Sequence, residues 1–449
     1  MFRFAQSLKY VRTGIYKAIM KKNEQIEMYR LMSKYGYAKY FLIPLLFLTT
    51  CVSAQVKVLS LQQTLELARQ NNPFLKVGAL NIDASQADVE TAKLRPNPML
   101  NNQTLQSVNS SYFADGTGAF NHRNRQVWWQ LTTPVPMKGQ LKYRIERAEK
   151  SVLLQQKYQV ETERGLLYQA ANLWVDIWNQ QRNLIILQKA QEYIDTLVNI
   201  NVLRLKNQII TQTDLLRTQT LSGQYKIQYA TAQQQYQTNL QGLKLILGMS
   251  DSLGINPNDS LDFVLPLVTD STSKYAQNTR SDVQIAQQSI AVAESNVKLQ
   301  DALKTPRPEL GFIWNPQNGS NYFGFFGTVP LPFYDRNQGE IQKSKVLKIQ
   351  GEKQLEATKR LALVETQTAL QRNRSLKTNV EKFGQVLQQS NLILENVRYS
   401  YLRGATTIID FLEAQRSWLD VQQQYQAAQY AYRLSLIDLL YVSGKISEK

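Results

Sequence analysis

Along the last part of the chain, Trp418, Val421, Tyr425, Ala428, Tyr432, Leu436 and Leu439 recur at spacings of three and four. That period lays them in one stripe on an α-helix, with Gln, Ser, Arg and Asp around the rest of the surface. Two much longer stretches also read as helix, Gln140–Lys206 and Gly339–Arg403. Each is followed, after a brief break, by a further helix, Asp214–Leu247 and Ile408–Val442. Helical throughout, Gln140–Lys206 would reach about 100 Å at a rise of about 1.5 Å per residue. Two earlier helices, Leu61–Leu94 and Ser281–Lys304, each stop at a Pro-x-Pro. Proline cannot continue a helix and pushes its predecessor toward extended backbone.

Between the helices the period changes to two. Leu310, Phe312 and Trp314 alternate with Glu309, Gly311 and Asn315. Val127, Trp129 and Leu131 alternate with Gln126, Gln130 and Thr132, with Trp128 out of pattern, and Tyr322–Phe326 is aromatic on both faces. Strands are therefore expected over Met99–Phe113, Arg125–Val135, Glu309–Asn315 and Tyr322–Leu331. Turns are expected at Asp115-Gly116-Thr117-Gly118 and Gln317-Asn318-Gly319-Ser320. Such strands suit a transmembrane β-barrel, and a soluble half-buried hairpin is the alternative. Four strands cannot close a barrel, and lipid does not tolerate open edges. Either the strands pair with other chains or they lie outside a membrane.

The chain is written twice. Thr132-Thr133-Pro134-Val135-Pro136 recurs 196 residues later as Thr328-Val329-Pro330-Leu331-Pro332. Asp214-Leu215-Leu216 recurs at the same offset as Asp410-Phe411-Leu412, Gln219 as Gln415, and Leu247-Gly248 as Ser443-Gly444. Nearer each start the offset is 210, matching Ala92 and Pro96-Asn97-Pro98 with Ala302 and Pro306-Arg307-Pro308. The difference is a longer loop in the first half. Two repeats follow, 55–262 and 263–449, with β segments at about 99–135 and 309–331.

The N-terminus reads as an export signal. Tyr40–Thr50 is apolar, Lys34 and Lys39 precede it, and Val52-Ser53-Ala54 supplies small residues for cleavage between Ala54 and Gln55. Residues 1–54 then form an extension plus signal, with Met32 the expected start. Cys51 offers a competing lipid-attachment site, for which Thr50 fits poorly. The 449 residues carry 52 basic and 35 acidic groups. Residues 1–54 hold nine basic and two acidic ones, so the mature chain is 43 against 33, net +10. Export argues against nucleic acid as the partner despite that charge.

The single Cys and single His exclude a disulfide scaffold and multi-cysteine metal sites, and argue against a Ser/His triad. His122, in a predicted outer loop, reads as a surface residue rather than a ligand. Met99, Met137 and Met249 are scattered and form no thioether site. No catalytic cluster is evident, so no cofactor and no resident metal are expected.

The duplicated order of helix, hairpin, long helix, turn and helix behind an export signal resembles the TolC family of outer-membrane efflux channels. The resemblance covers essentially the whole mature chain. Asn72-Pro73 and Arg280-Ser281-Asp282-Val283 resemble the family's start-of-repeat motifs, the second with Ser281 in place of the usual Pro. The junctions Ala92–Pro96 and Ala302–Pro306 resemble its helix-to-strand turns, and Pro330–Gly339 its strand-to-helix turn. The resemblance implies a mainly α protomer with a small β part. Three copies would form a 12-stranded barrel in outer-membrane lipid and a periplasmic helical tunnel. It also implies a passive duct working with a periplasmic adaptor and an inner-membrane RND pump, with no enzyme activity.

In such channels the breaks between paired helices form the periplasmic tips that meet the adaptor. Here the first tip holds Asn207, Gln208, Ile209, Thr211, Thr213 and Asp214. The second holds Arg403, Gly404, Ala405, Thr406, Thr407 and Asp410. Gly404 permits a turn, the threonines can act as N-caps, and each Asp suits a helix start. Asn207-Gln208 stands where glycine is usual, which leaves the first turn's geometry open. Pro136–Arg144 partly resembles the junction of the cobalt–zinc–cadmium and copper–silver branch, so heavy-metal cations are the expected cargo. Multidrug or other organic cargo, and type I secretion, remain as alternatives. A periplasmic coiled-coil adaptor would lack the aromatic strand pairs and the duplication, and a secreted hydrolase would need catalytic residues.

Overall fold

The computed structural model describes residues 57–135, 137, 139–259, 270–317 and 320–448. The export signal, Met32, Cys51, the Ala54–Gln55 cleavage position, Pro136 and Lys138 lie outside the described residues. The first repeat runs β1 (Lys57–Leu59), α1 (Leu61–Asn71), α2 (Pro73–Lys93), β2 (Met99–Gln106), β3 (Arg125–Pro134), α3 (Gln140–Lys206) and α4 (Gln212–Leu247). After β4 (Leu253–Ile255), the order recurs as α5 (Asp270–Thr279), α6 (Ser281–Leu303), β5 (Glu309–Gln317), β6 (Ser320–Thr328), α7 (Gln338–Leu402) and α8 (Ile408–Val442). The protein is mainly helical with a small β part.

Two expectations need correction. Leu61–Leu94 is two helices, because Asn72 leaves helical geometry and its Oδ1 accepts from the N–H groups of Phe74 and Leu75, capping α2 ahead of Pro73. The first strand ends at Gln106 rather than Phe113. Beyond it the chain is held by Asn124, whose side chain bonds Ala114 N, Thr117 Oγ1 and Gly118 O within a loop. The turn expected at Asp115–Gly118 lies within that loop, where Thr117 N donates to Ala114 O at 3.0 Å and Gly116 has φ 72°. Helix α5 and the parallel pair β1–β4 were not foreseen, since ten-residue and three-residue elements carry little periodicity.

The repeat-start motifs do the same job twice. Asn72 Nδ2 donates to Ile246 O at 2.7 Å, near the end of α4. Arg280 Nη1 donates to Val442 O at 3.3 Å, the position 196 residues later at the end of α8. Arg280 is also fully paired, to Asp282 at 2.7 Å and Glu365 at 2.6 Å. Each motif therefore pins the head of its repeat to the tail of that repeat. Gly248 and Gly444 end α4 and α8 with φ of 60° and 77°, a conformation that favours glycine.

Helices α3 and α4 pack as one antiparallel pair and α7 and α8 as another, and α8 lies against α3 to join them. The upper part of α3 meets α2 and α6, and α6 meets α7. Because α8 contacts two helices, it buries a wide arc: Leu412, Leu419 and Ile437 are inside along with Trp418, Leu436 and Leu439 of the predicted stripe. The main core sits at mid-length. Trp174 and Trp178 of α3 are enclosed by Leu59, Leu65, Leu243, Leu247, Ile255, Ile437 and Leu440. Both indoles also find acceptors, Trp174 Nε1 on Leu59 O at 3.2 Å and Trp178 Nε1 on Pro257 O at 3.0 Å. A second cluster nearer the tips gathers Leu187, Ile194, Leu197, Leu221, Tyr225, Phe411 and Trp418.

The large sheet has the order β2-β3-β5-β6, all antiparallel. Its register gathers most of the aromatic side chains on one face. One face carries Leu100, Val127, Trp129, Leu131, Leu310, Phe312, Trp314, Phe323 and Phe325. The other is mixed: Asn101, Gln103, Gln126, Gln130, Thr132, Asn315 and Thr328 stand there with Met99, Leu105, Trp128, Ile313, Tyr322 and Phe326. On the apolar face Phe312 lies 5.9 Å from Phe323 and 5.8 Å from Phe325. Among the described residues nothing covers the β6 side of that face: Phe325 is 90% exposed and Phe323 66%. Gly311 has no side chain because the ring of Phe326, opposite it in register, occupies the space a Cβ would need. No helix among the described residues is long and apolar enough to cross a membrane.

The core gives the first prediction. Trp174→Ala removes a fully buried indole and is expected to cost about 3–5 kcal/mol, lowering the yield of folded protein. Trp174→Phe keeps the ring but loses the bond to Leu59 and should cost about 1 kcal/mol. Thermal unfolding of the two variants in one detergent checks the order.

Candidate functional site

The residues expected to form the two tips are built by one backbone recipe. At the end of α3, Gln208 N donates to Leu205 O and Ile209 N to Arg204 O, both at 2.9 Å. At the end of α7, Gly404 N donates to Tyr401 O at 3.0 Å and Ala405 N to Ser400 O at 2.9 Å. This is the paired bond pattern of a helix closed by a left-handed residue. Gln208 takes that conformation with φ 59°, and Gly404 with φ 76°. Asn207-Gln208 thus makes the same turn as Arg403-Gly404, at a steric cost the second tip avoids.

The next helices also start alike. Thr211 caps α4: its Oγ1 accepts from Asp214 N at 3.2 Å, and Asp214 Oδ2 accepts from Thr211 N at 3.1 Å. Thr407 caps α8 with the same two bonds to Asp410, at 3.2 and 3.1 Å. Of the four threonines named, only Thr211 and Thr407 are N-caps. Thr213 lies inside α4, and Thr406 Oγ1 donates to Asp410 Oδ2 at 2.7 Å. The hydroxyl of Thr407, then that of Thr406, then the Thr407 N–H hold the Asp410 carboxyl below the usual carboxylate range.

The two tips are tied to each other by residues the motif reading missed. Arg204 Nη2 donates to Tyr401 O at 3.3 Å and Leu402 O at 3.2 Å, and its guanidinium lies 4.7 Å from the Tyr401 ring. A cation there also offsets the negative end of the α7 dipole. Buried Tyr401 donates its Oη to Asn201 Oδ1 at 2.8 Å, and Asn201 Nδ2 donates to Thr218 Oγ1 at 2.9 Å. Tyr401 also stacks on Phe411 with centroids 5.5 Å apart. The positions 196 residues after Asn201, Arg204 and Thr218 hold Val397, Ser400 and Ala414. The tie therefore runs from the first hairpin to the second and is not duplicated. Arg204, a basic residue in the last helical turn, was the available sequence signal.

Beside exposed Asn207, Gln208, Thr211, Thr213 and Asp410, the tips show apolar and basic groups to solvent. Ile209 is 63% exposed and Ile409 56%. Arg403 lies over the Tyr399 ring at 4.1 Å, and Lys206 is exposed. His122 is exposed in the loop between β2 and β3. Among the described residues no group of three or more His, Cys, Asp or Glu could hold a metal ion.

A family model described as outer membrane efflux protein matches residues 64–249 and 273–445. The cation efflux system protein CusC of Escherichia coli O157:H7 is 22% identical over 418 residues, spanning 88% of this chain and 87% of that protein. A crystal structure of CusC superposes with a TM-score of 0.70 at 18% identity, covering 86% of this chain and 92% of that one. A membrane protein from Pseudomonas aeruginosa gives 0.72 at 17% identity, covering 86% and 91%. The outer membrane protein VceC of Vibrio cholerae gives 0.68 at 17%, covering 86% and 96%. At these identities the superpositions establish a shared fold.

The turn geometry predicts opposite effects at equivalent positions. Gln208→Gly should tighten the first tip by up to about 1 kcal/mol, because the left-handed conformation costs a side-chain-bearing residue about 1–2 kcal/mol and part of the gain is lost to backbone entropy. Gly404→Ala should loosen the second tip by about 1 kcal/mol. Hydrogen exchange at the amides of Ile209 and Ala405 reads both. Because the Asp410 carboxyl is depressed, its cap is in force above the ordinary carboxylate value of 3.8. It is lost as pH falls through the lower folded value, so the protection of amides at the start of α8, relative to the unfolded chain, should hold down to pH 4 and fall below it.

Proposed function

The chain belongs to the outer membrane efflux protein family, and on that premise we propose that three copies form a passive exit duct across the outer membrane. The observation that carries this reading is the four-stranded sheet, apolar and uncovered on one face and unpaired at both edges. Three such sheets make a twelve-stranded wall, which satisfies every edge. Helices α3 and α7, 67 and 65 residues long, extend it as a tunnel of about 100 Å. The polar sheet face and the Gln-rich helices line the water-filled path. No step in such a duct needs a catalytic group, a cofactor or a resident metal.

Cargo arrives from an inner-membrane RND transporter through a periplasmic adaptor that meets the tips. The exposed Ile209 and Ile409, rimmed by Lys206 and Arg403, suit a protein contact there. Heavy-metal cations are the cargo class this reading favours, supported by the near full-length likeness to a cation efflux protein and by the Pro136–Arg144 junction. A second reading, organic compounds, draws on the basic groups Arg204, Lys206 and Arg403 at the tips, which repel cations at close range.

A deletion strain and its complemented parent decide between the cargoes. Sensitivity to zinc, cobalt, cadmium, nickel, copper or silver, relieved by the gene, is the expected result. Sensitivity confined to detergents, dyes or antibiotics would replace the metal reading with the organic one. A charged substitution at the tip, Thr407→Lys, should abolish resistance while folded trimer persists in the outer membrane. Full resistance in that variant would remove the tips from the adaptor contact.

A further inference from the structure

The outer end of the sheet carries two cations that no described residue neutralises. Residues 107–124 join β2 to β3, and the helices leave these strands at the opposite end. Asn124 ties the loop at its base. Its side chain, buried at 7% exposure, bonds Ala114 N, Thr117 Oγ1 and Gly118 O. Its carbonyl accepts from Ser107 N at 2.8 Å and from Gln106 Nε2 at 3.1 Å. With Asn124 turned inward, its neighbours Arg123 and Arg125 are both exposed. Neither guanidinium has a hydrogen bond or ion pair with a described residue. Asp115, the one acid in residues 107–124, pairs with neither.

Register fixes the side of the sheet on which Arg125 stands. It pairs with Gln106 and lies two residues from Val127 and four from Trp129. Its side chain therefore leaves the sheet on the face of Val127, Trp129, Phe312 and Trp314, the face that the proposed duct turns to lipid. Strand rise gives the depth. Leu310, on that same face, pairs with Thr133, eight residues from Arg125, or about 26 Å along the strand at about 3.3 Å per residue. A strand tilt of about 40° makes this about 20 Å of depth, against an apolar band about 25 Å tall in such barrels. Trp314, between the two levels, donates its Nε1 at 3.3 Å to Asn321 Oδ1, nearer the outer end, as an interfacial indole does. Arg125 thus stands at the outer margin of the hydrocarbon, where its long side chain reaches the headgroups.

Architecture does not ask for the charge. The position 196 residues after Arg125 is Asn321, and the outer end of β6 is built with that neutral side chain. A guanidinium fork matches a pair of phosphate oxygens. Position selects the source of the phosphate, because the outer leaflet of a bacterial outer membrane is lipopolysaccharide, whose glucosamine headgroup is phosphorylated. We propose that Arg123 and Arg125 bind the headgroup phosphate of this outer-leaflet glycolipid at the outer rim of the barrel. The proposal rests on the sheet spanning the outer membrane, and it adds a lipid contact that the duct does not require.

The test uses the full-length trimer in neutral detergent. Lipid A, dephosphorylated lipid A and phosphatidylglycerol are added in turn, and native mass spectrometry counts the lipid retained. Wild type should retain lipid A roughly tenfold better than its dephosphorylated form. Arg123→Gln/Arg125→Gln should lose that preference, and Arg123→Lys/Arg125→Lys should keep part of it. If the Gln pair fails to assemble, Arg125→Gln alone carries the test, since that side chain bonds no described residue. Equal retention of the two lipid A forms, or a preference unchanged in the Gln variants, would overturn the site. Phosphatidylglycerol held as well as lipid A would overturn the glycolipid assignment, as would displacement of lipid A by an equal concentration of inorganic phosphate. A trimer that reaches the outer membrane without the preference sinks this site alone. A chain that never forms a trimer there sinks the duct reading and the site with it.

Discussion

A strand edge in hydrocarbon has nowhere to place its N–H and C=O groups, and each one left unpaired costs several kcal/mol. The sheet of this protein presents that problem at β2 and β6, its two open edges. Its aromatic face adds a second demand, because the described residues leave Phe323 66% and Phe325 90% exposed. Both demands are met at once when the β6 edge of one protomer pairs with the β2 edge of the next. The sheet then closes, the apolar face meets lipid, and the polar face lines a pore. On the proposed reading, three sheets bring together three helical protomers, and their long helices stand side by side as a tunnel.

Duplication makes the protomer nearly symmetric, and the departures from symmetry are informative. Asn72 and Arg280 use different side chains for one purpose, tying each repeat's head to its tail at Ile246 and Val442. The tips share one turn geometry, although Gln208 reaches it with strain that Gly404 avoids. In contrast, the Arg204–Tyr401–Asn201 tie has no counterpart. Architecture is repeated, whereas features that choose a partner, a ligand or a resting arrangement occur once per protomer.

Much of this was legible in the residues. Helices α3, α4, α7 and α8 were read to within two residues at each end, since long periodic stretches bounded by Pro, Thr and Gly leave little freedom. The hairpins were read from their alternation, with the first strand overrun into Ser107–Phe113, which leads into the loop held by Asn124. The break at Asn72-Pro73 was visible and was taken only as a repeat mark, although Asn before Pro is also a helix start. β1 and β4 are too short to show a period. At the tips the capping pairs were foreseen, but the choice among threonines was not, because four candidates stand within reach of two helix starts. The bonds of Asn201, Arg204 and Tyr401 bring together positions about 200 residues apart, which no local pattern reports.

Edge pairing between protomers is the central claim, and disulfide trapping tests it directly. Cys51 precedes the expected cleavage position, so introduced cysteines would stand alone in the exported chain. Asn101 of β2 and Gly324 of β6 lie at one height in the sheet, on its polar face. Asn101→Cys would be combined in turn with Tyr322→Cys, Gly324→Cys and Phe326→Cys, covering the stagger between protomers, and outer membranes would be oxidised. Cα atoms of paired strands approach to about 5.5 Å, within disulfide reach. The account predicts covalent dimers and trimers for one of the three combinations. Monomer alone in all three, with folded protein present in the membrane, would contradict it.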